Sequence, residues 1–236
     1  MEEKMKLILN KKPKNPIIIE GFPGLGFVGT IATEFLIEHT RAEKIGCIKS
    51  EESMPITAIH NSKVVDPLRI FYSNKYNLII LHSLNPVTKL EWKIVEILEQ
   101  LVKQVGAKEI ISLEGVASPT QESNVYFYSR KNEKKFSKLN FKPLANGIVL
   151  GVTAAVLLNE KLPSSCLFVE THSALPDSRG AAKLIKALDN YLNLKVDYKP
   201  LLKKAEQFEK KIKGLIEQSK VATTEKEKKE QLNYLG

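Results

Sequence analysis

The chain of 236 residues predicts an α/β fold with a largely parallel central sheet. Two observations lead there. Four short segments, 16–20 (PIIIE), 77–82 (NLIILH), 109–114 (EIISLE) and 166–171 (CLFVET), have strand length and are close to continuously apolar, the pattern of strands covered on both faces. Longer segments with apolar residues at helical spacing alternate with them, as βα repetition requires.

Taken in order, Pro16 to Glu20 reads as a buried strand and Gly21 to Gly29 as a glycine-rich turn. Leu25 to His39 then carries Val28, Ile31, Ala32, Phe35 and Leu36 on one helical face. Short strands are expected at Lys44 to Lys49, Thr57 to His60 and Val64 to Ser73, with Pro67 marking an edge or a bulge in the last. Asn77 to His82 is a second buried strand. Pro86 opens a helix running to Val105, and Gly106 is its natural stop. Glu109 to Glu114 is the third buried strand. The polar stretch Ser118 to Pro143 offers only a hairpin around Val125 to Tyr128. Gly147 to Leu158 is apolar almost all round and predicts a helix buried on most sides. Cys166 to Thr171 is the fourth buried strand, and Asp177 to Leu192 a helix with Ala181, Leu184, Ile185 and Leu188 on its inner side.

Composition narrows the function. The chain is 43% hydrophobic and 27% charged, ordinary for a globular protein large enough to need no disulfide or metal staple. No apolar run reaches the ~18 residues of a membrane span. The opening Met1-Glu2-Glu3-Lys4 lacks the features of a signal peptide, so a cytoplasmic protein is expected. The net charge of +9 comes almost wholly from lysine. Arg41, Arg69, Arg130 and Arg179 are the only arginines, and dispersed lysine without arginine argues against a nucleic-acid reader. Cys47 and Cys166 sit far apart in apolar surroundings and read as core residues, so no zinc site is expected.

From Tyr198 onward the character changes, which divides the chain into an α/β domain over 1–197 and a C-terminal helix and charged tail over 198–236. The tail holds ten lysines against six acids. Leu201, Ala205, Phe208, Ile212 and Leu215 are spaced 4, 3, 4, 3, the seam of a coiled coil or of a helix docking on a partner. Beyond the charged run 226–230 the chain ends on Leu232-Asn233-Tyr234-Leu235-Gly236.

Two features could carry chemistry. Gly24-Leu25-Gly26-Phe27-Val28-Gly29 fits G-x-G-x-x-G between a strand and a helix, the context of a dinucleotide fingerprint. Pro23, the absence of a clean acidic strand end near Ser50, and the lack of a second mononucleotide half count against a cofactor. The plainer reading is that small residues let the helix turn sharply and pack closely on the sheet. Secondly, Glu20, Glu114 and Glu170 end three buried strands, where open α/β sheets place their ligand crevice. Ser118-Pro119-Thr120, His172, Asp177 and Arg179 follow nearby. Such a cluster serves either a small-molecule binder or hydrolase-like enzyme, or a structural purpose, with carboxylates accepting turn amides and Arg179 as their ion partner. No G-x-S-x-G elbow is present for Ser53, Ser83 or Ser118.

Three segments, Gly21 to Gly29, Leu113 to Thr120 and Ala174 to Ala182, together resemble the archaeal branch of the proteasome assembly chaperone family over roughly residues 7 to 216. The resemblance implies a three-layer α/β/α domain of the phosphorylase/hydrolase-like kind, acting as a scaffold without enzyme activity, cofactor or metal. It also implies homo-oligomers that engage α-subunits of the proteasome core particle, some members through a C-terminal hydrophobic-Tyr-X tail. Carried over to this chain, partner contact falls on Leu232, Tyr234, Leu235 and Gly236. Here Tyr234 stands third from the end rather than second, and Asn233 precedes it where the pattern has a hydrophobe.

Overall fold

A computed structural model describes residues 5–60, 62–117, 124–171 and 175–197, together with Pro200 and Gly214. Leu201, Phe208, Ile212 and Leu215, the four tail residues Leu232, Tyr234, Leu235 and Gly236, and the segment Ser118-Pro119-Thr120 with His172 lie outside the described residues.

The centre of the molecule is four parallel strands: β2 (Ile17–Gly21), β7 (Leu78–Ser83), β8 (Glu109–Ala117) and β11 (Ser164–Thr171). All four are buried nearly throughout, as their unbroken apolar sequences demand. Antiparallel strands widen the sheet on both flanks. On one side stand β6 (Leu68–Ser73), β3 (Glu43–Ser50) and β1 (Met5–Leu9); on the other stand β9 (Val125–Ser129) and the two-residue β10 (Lys142–Pro143). The nine-stranded order is β1-β3-β6-β7-β2-β8-β11-β9-β10. Pairing is therefore parallel among the four core strands and antiparallel outside them, except that β10 runs parallel to β9.

Helices cover both faces. On one, α1 (Val28–Thr40) and α5 (Ser178–Leu192) pack over Ile19, Ile80, Ile111 and Leu167. On the other, α2 (Glu91–Val105) and α4 (Gly151–Leu158) pack over Ile18, Ile79, Leu81 and Ile110. Alternation along each strand feeds the two cores in turn, so Ile18 and Ile19 serve opposite layers. The domain is a three-layer α/β/α sandwich.

Several local expectations need correction. The run Val64 to Ser73 is not one strand. It breaks at Pro67 into β5 (Lys63–Val65), which forms a separate hairpin with β4 (Ala58–His60), and β6. Proline cannot donate to a ladder, and the chain changes sheets there. The hairpin expected at Val125 to Tyr128 is a single strand that joins β11, and α3 (Glu133–Lys138) follows it. Phe136 of α3 is fully buried between Phe127 and Tyr191, with ring centroids at 4.7 and 4.0 Å. α1 begins at Val28 rather than Leu25, because Gly26 (φ +66°) and Phe27 (φ +51°) are left-handed. α4 begins at Gly151 rather than Gly147. Strand β1 goes unread in the sequence: five residues, MKLIL, beside a charged start give too short a pattern.

Candidate functional site

The parallel strands end on the glycine-rich turn and the two carboxylates that the sequence places together. Glu20 is the last residue but one of β2, and Glu114 lies in the outer half of the adjacent β8 rather than at its end, both on the sheet face beneath α4. Glu20 is fully buried and Glu114 nearly so. The hydroxyl of Thr153, in the first turn of α4, sits between them. Its Oγ1 is 2.8 Å from Glu114 Oε2 and 3.5 Å from Glu20 Oε1. Gly115 N–H donates to Glu114 Oε1 at 3.0 Å, and Phe22 N–H donates to Glu20 Oε2 at 3.4 Å.

Burial is the dominant influence on both acids. It pushes Glu20 up to about 7, opposed by the hydrogen bonds the carboxylate accepts. Glu114 is also pushed up to about 7 by burial, with the neighbouring Glu20 adding to the rise and Thr153, Gly115 and the Leu25 amide opposing it. Two carboxylates this close and this dry hold a proton at neutral pH more readily than two charges. Cys166, buried below them, has its thiol pushed up by burial first and by these two acids second.

The glycine-rich turn is filled by the protein itself. A Cβ on Gly24 would overlap the carboxylate of Glu114, and one on Gly29 would overlap the Leu113 carbonyl oxygen. A Cβ on Gly115 would likewise overlap the Leu25 carbonyl oxygen, and one on Gly26 would come within 2.8 Å of Thr171 Oγ1. Within the turn, the Leu25 amide donates to the internal carboxylate of Glu114 and the Phe27 amide to the Gly24 carbonyl, where a dinucleotide fold would turn such amides to a phosphate.

The third motif locks onto the same turn. Asp177 N–H donates to the Gly26 carbonyl at 2.8 Å, and the Asp177 side chain caps α5 by accepting Gly180 N–H at 2.8 Å. A Cβ on Gly180 would come within 2.8 Å of the Asp177 carboxylate and 3.2 Å of Val28 Cγ1, so a side chain there would push on the cap. The described parts of the three segments that carry the family resemblance, Gly21 to Gly29, Leu113 to Ala117 and Leu175 to Ala182, thus pack as one interlocked unit around the strand ends.

The other acids and the arginine stand apart from the pair. Glu170 accepts from Asn124 N–H at 3.0 Å, Asn124 Nδ2 at 2.9 Å and Tyr126 OH at 3.3 Å, which ties the end of β11 to the start of β9. Arg179 is exposed on α5, and no ion pair joins it to Glu20 or Glu114 among the described residues. Two cavities, of about 510 and 310 Å³, open near the ends of β3 and β7. The larger is lined by Lys6, Lys49, Met54, Ile56 and Asp66 among others, the smaller by Met5, Ser83, Asn85 and Leu90. Neither is lined by Glu20, Glu114, Glu170, Asp177 or Arg179.

One polar arrangement was not legible in the sequence. His82 of β7 has Nδ1 3.0 Å from Thr33 Oγ1 and Nε2 3.0 Å from Glu34 Oε2, both on α1. Thr33 is fully buried, and its hydroxyl also lies 2.9 Å from the Gly29 carbonyl. A hydroxyl–imidazole–carboxylate line of this kind, closed to solvent at the hydroxyl, braces α1 against the sheet. Only the tertiary crossing of α1 over β7 brings together residues 49 apart in sequence.

Across residues 18–216 the sequence matches the model of the PAC2 family. The chain belongs to the PAC2 family. Among its PAC2-like relatives, the Methanocaldococcus jannaschii protein MJ0106 is 32% identical over 227 residues, covering 92% of this chain and 93% of the relative. Pyrococcus furiosus PbaA, described as an archaeal homolog of proteasome-assembly chaperone, is 31% identical and superposes with a TM-score of 0.83, covering 93% of this chain and 99% of PbaA. Pyrococcus furiosus PbaB, at 22% identity and a TM-score of 0.74 over 91% of this chain and 99% of PbaB, shares the same fold. Among the described residues, no helix of this PAC2 domain is long and apolar enough to cross a membrane.

Proposed function

We propose that this PAC2 protein is a cytoplasmic, proteasome-assembly-chaperone-like scaffold that works as a homo-oligomer and binds α-subunits of the proteasome core particle without ATP hydrolysis. One observation carries the reading: at 31% identity the chain follows PbaA over 93% of its own length and 99% of PbaA's. The site geometry is consistent with a scaffold. The polar groups at the strand ends are spent on one another, so the motifs that could have served chemistry serve packing instead.

Partner contact is assigned to the C-terminal helix, through Leu201, Phe208, Ile212 and Leu215, and to the end, through Leu232, Tyr234, Leu235 and Gly236. An aromatic anchor such as Tyr234 buries large area at small entropic cost. Several copies on one oligomer add avidity. The test is a pull-down of recombinant α-subunits by the full chain and by a variant lacking Leu232 to Gly236. Retention by the full chain and loss in the variant is the expected result. Equal retention would remove the tail from the mechanism, and no retention by either would remove the α-subunit as partner.

A further inference from the structure

The larger cavity, of about 510 Å³, lies within the ~300–1,000 Å³ range of small-molecule sites and has two kinds of wall. One is apolar, formed by Ile8, Ile48, Met54, Ile56, Val64 and Leu68. Ile8, Met54 and Val64 are 37%, 48% and 74% exposed, so this wall is open to solvent rather than packed. Val64 reaches the cavity from the hairpin of β4 and β5. Ile59 stands directly opposite it there, on the same face and just as exposed, and extends the apolar wall.

The other wall carries charge. Lys6 of β1 and Lys49 of β3 both line the cavity and are direct partners in the β1–β3 register, which sets their side chains next to each other on one sheet face. Like charges so opposed work against the pairing of their strands. A lysine on an edge strand commonly guards against edge-to-edge association, and β1 is an edge, which accounts for Lys6. It does not account for Lys49, one strand further in. Nor is the pair neutralised locally. Among the described residues neither lysine has an ion pair. Of the acids that line the cavity, Asp66 is bonded to Lys44 and feels Lys49 only as a further charge, and Glu51 pairs with neither lysine. The loop hydroxyls are spent on the loop. Ser50 Oγ accepts the amides of Glu52 and Ser53 at 3.2 and 3.3 Å, and Thr57 Oγ1 donates to the Val65 carbonyl at 2.9 Å.

The smaller cavity supplies the contrast. It shares Ser50, Ser53, Met54 and Ile56 with the larger, yet among the described residues no lysine lines it, and Glu52, the charged residue in its lining, is paired with Lys93. Of the two cavities, only the larger presents unpaired positive charge, and at two adjacent positions. Two ammonium groups beside an apolar wall match a single anionic head on an apolar body, not the row of charges along a nucleic acid or an acidic peptide. As compact point charges, lysines take a carboxylate without demanding bidentate geometry.

We propose that this cavity binds a small amphiphilic carboxylate, its head held between Lys6 and Lys49 and its apolar body laid along Met54, Ile56 and Val64. The site goes beyond the proposed function and does not depend on whether α-subunits bind.

The test is isothermal titration calorimetry on the full chain at low salt, where charge is least screened, with octanoate, octanol and octylamine. These share a chain and differ in the head. Saturable binding of octanoate is expected, with octanol weaker by about fivefold and no saturable binding of the positively charged octylamine. Lys6→Met and Lys49→Met change exposed residues and are expected to keep the native melting temperature. Each is expected to weaken octanoate by about fivefold and to leave octanol unchanged. Methyl NMR of the methionines locates the ligand, since Met54 lines the larger cavity and Met5 only the smaller. Octanoate is expected to shift Met54 and not Met5. Absence of saturable octanoate binding overturns the proposal, as does equal binding of octanoate and octanol, octanoate affinity unchanged in both lysine variants, or a Met5 shift with Met54 unmoved.

Discussion

At Glu20 and Glu114 the chain buries two acids where one charge would already be costly. Burial raises both from 4.5 to about 7, so the folded state prefers them protonated while the unfolded chain ionises them near 4.5. The unfolded state then binds fewer protons between those limits. The contribution to stability is complete below about pH 4.5 and is lost as pH rises through about 7. Asp66 works in the other direction: the Lys44 ammonium holds its carboxyl below the usual range, and that stabilisation fades in acid. Glu114→Gln keeps the shape and removes one titrating group. It is expected to raise stability by about 1–3 kcal/mol at pH 8 and to flatten the decline between pH 5 and 8. Urea titrations at several pH values measure both, and a variant weaker than native at pH 8 would show that the carboxylate charge is wanted there. Gly29 gives a test of the interlocked turn. Alanine at a helix position ordinarily gains about 1 kcal/mol over glycine. Here the added methyl meets the Leu113 carbonyl, so Gly29→Ala is expected to lose about 1–3 kcal/mol, read as a lower melting temperature.

Among the elements, α1 and α5 show how helix starts are set by neighbours. Periodicity places the beginning of α1 at Leu25. The left-handed Gly26 and Phe27 postpone it to Val28, because the turn must hug β8 and β11 before the helix can leave. α5 begins where its cap predicts, since Asp177 carries its own signal by accepting Gly180 N–H. Asp177→Ala is expected to cost about 1 kcal/mol in chemical denaturation, with α5 fraying first in hydrogen exchange at residues 178–182. Loss confined to global stability, with no local change in exchange, would show that the contact of Asp177 N–H with Gly26 outweighs the cap. α4 is the element least like its sequence expectation: apolar almost all round, it buries Val152, Ala155 and Val156 while Leu158 at its end is exposed.

For the whole molecule, the proposed function divides labour between the α/β body and the C-terminal extremity. Deleting Leu232 to Gly236 is therefore expected to leave the melting temperature of the body within about 1 °C of native while weakening α-subunit capture, since surface changes away from packed features cost little. A large drop in melting temperature would mean that those residues cover the body. The central strands and the inner faces of α1, α2 and α5 could be read directly from sequence, because two-sided burial writes an unbroken apolar run and one-sided burial writes a helical period. The same reading ended three strands on Glu20, Glu114 and Glu170, but β8 runs on past Glu114 to Ala117, because Gly115 and Val116 keep their place in the sheet beside β11.

Local pattern thus determined the α/β class and the four buried central strands, while the three-layer arrangement was implied by the family resemblance. Only the tertiary structure decided that the glycine-rich turn holds a carboxylate of its own chain, that Thr153 bridges two acids, and that His82 braces Thr33 and Glu34. Each of these is a contact between residues distant along the chain. Periodicity reports which way a side chain faces, but what it meets is set by the order and direction in which strands and helices are laid together.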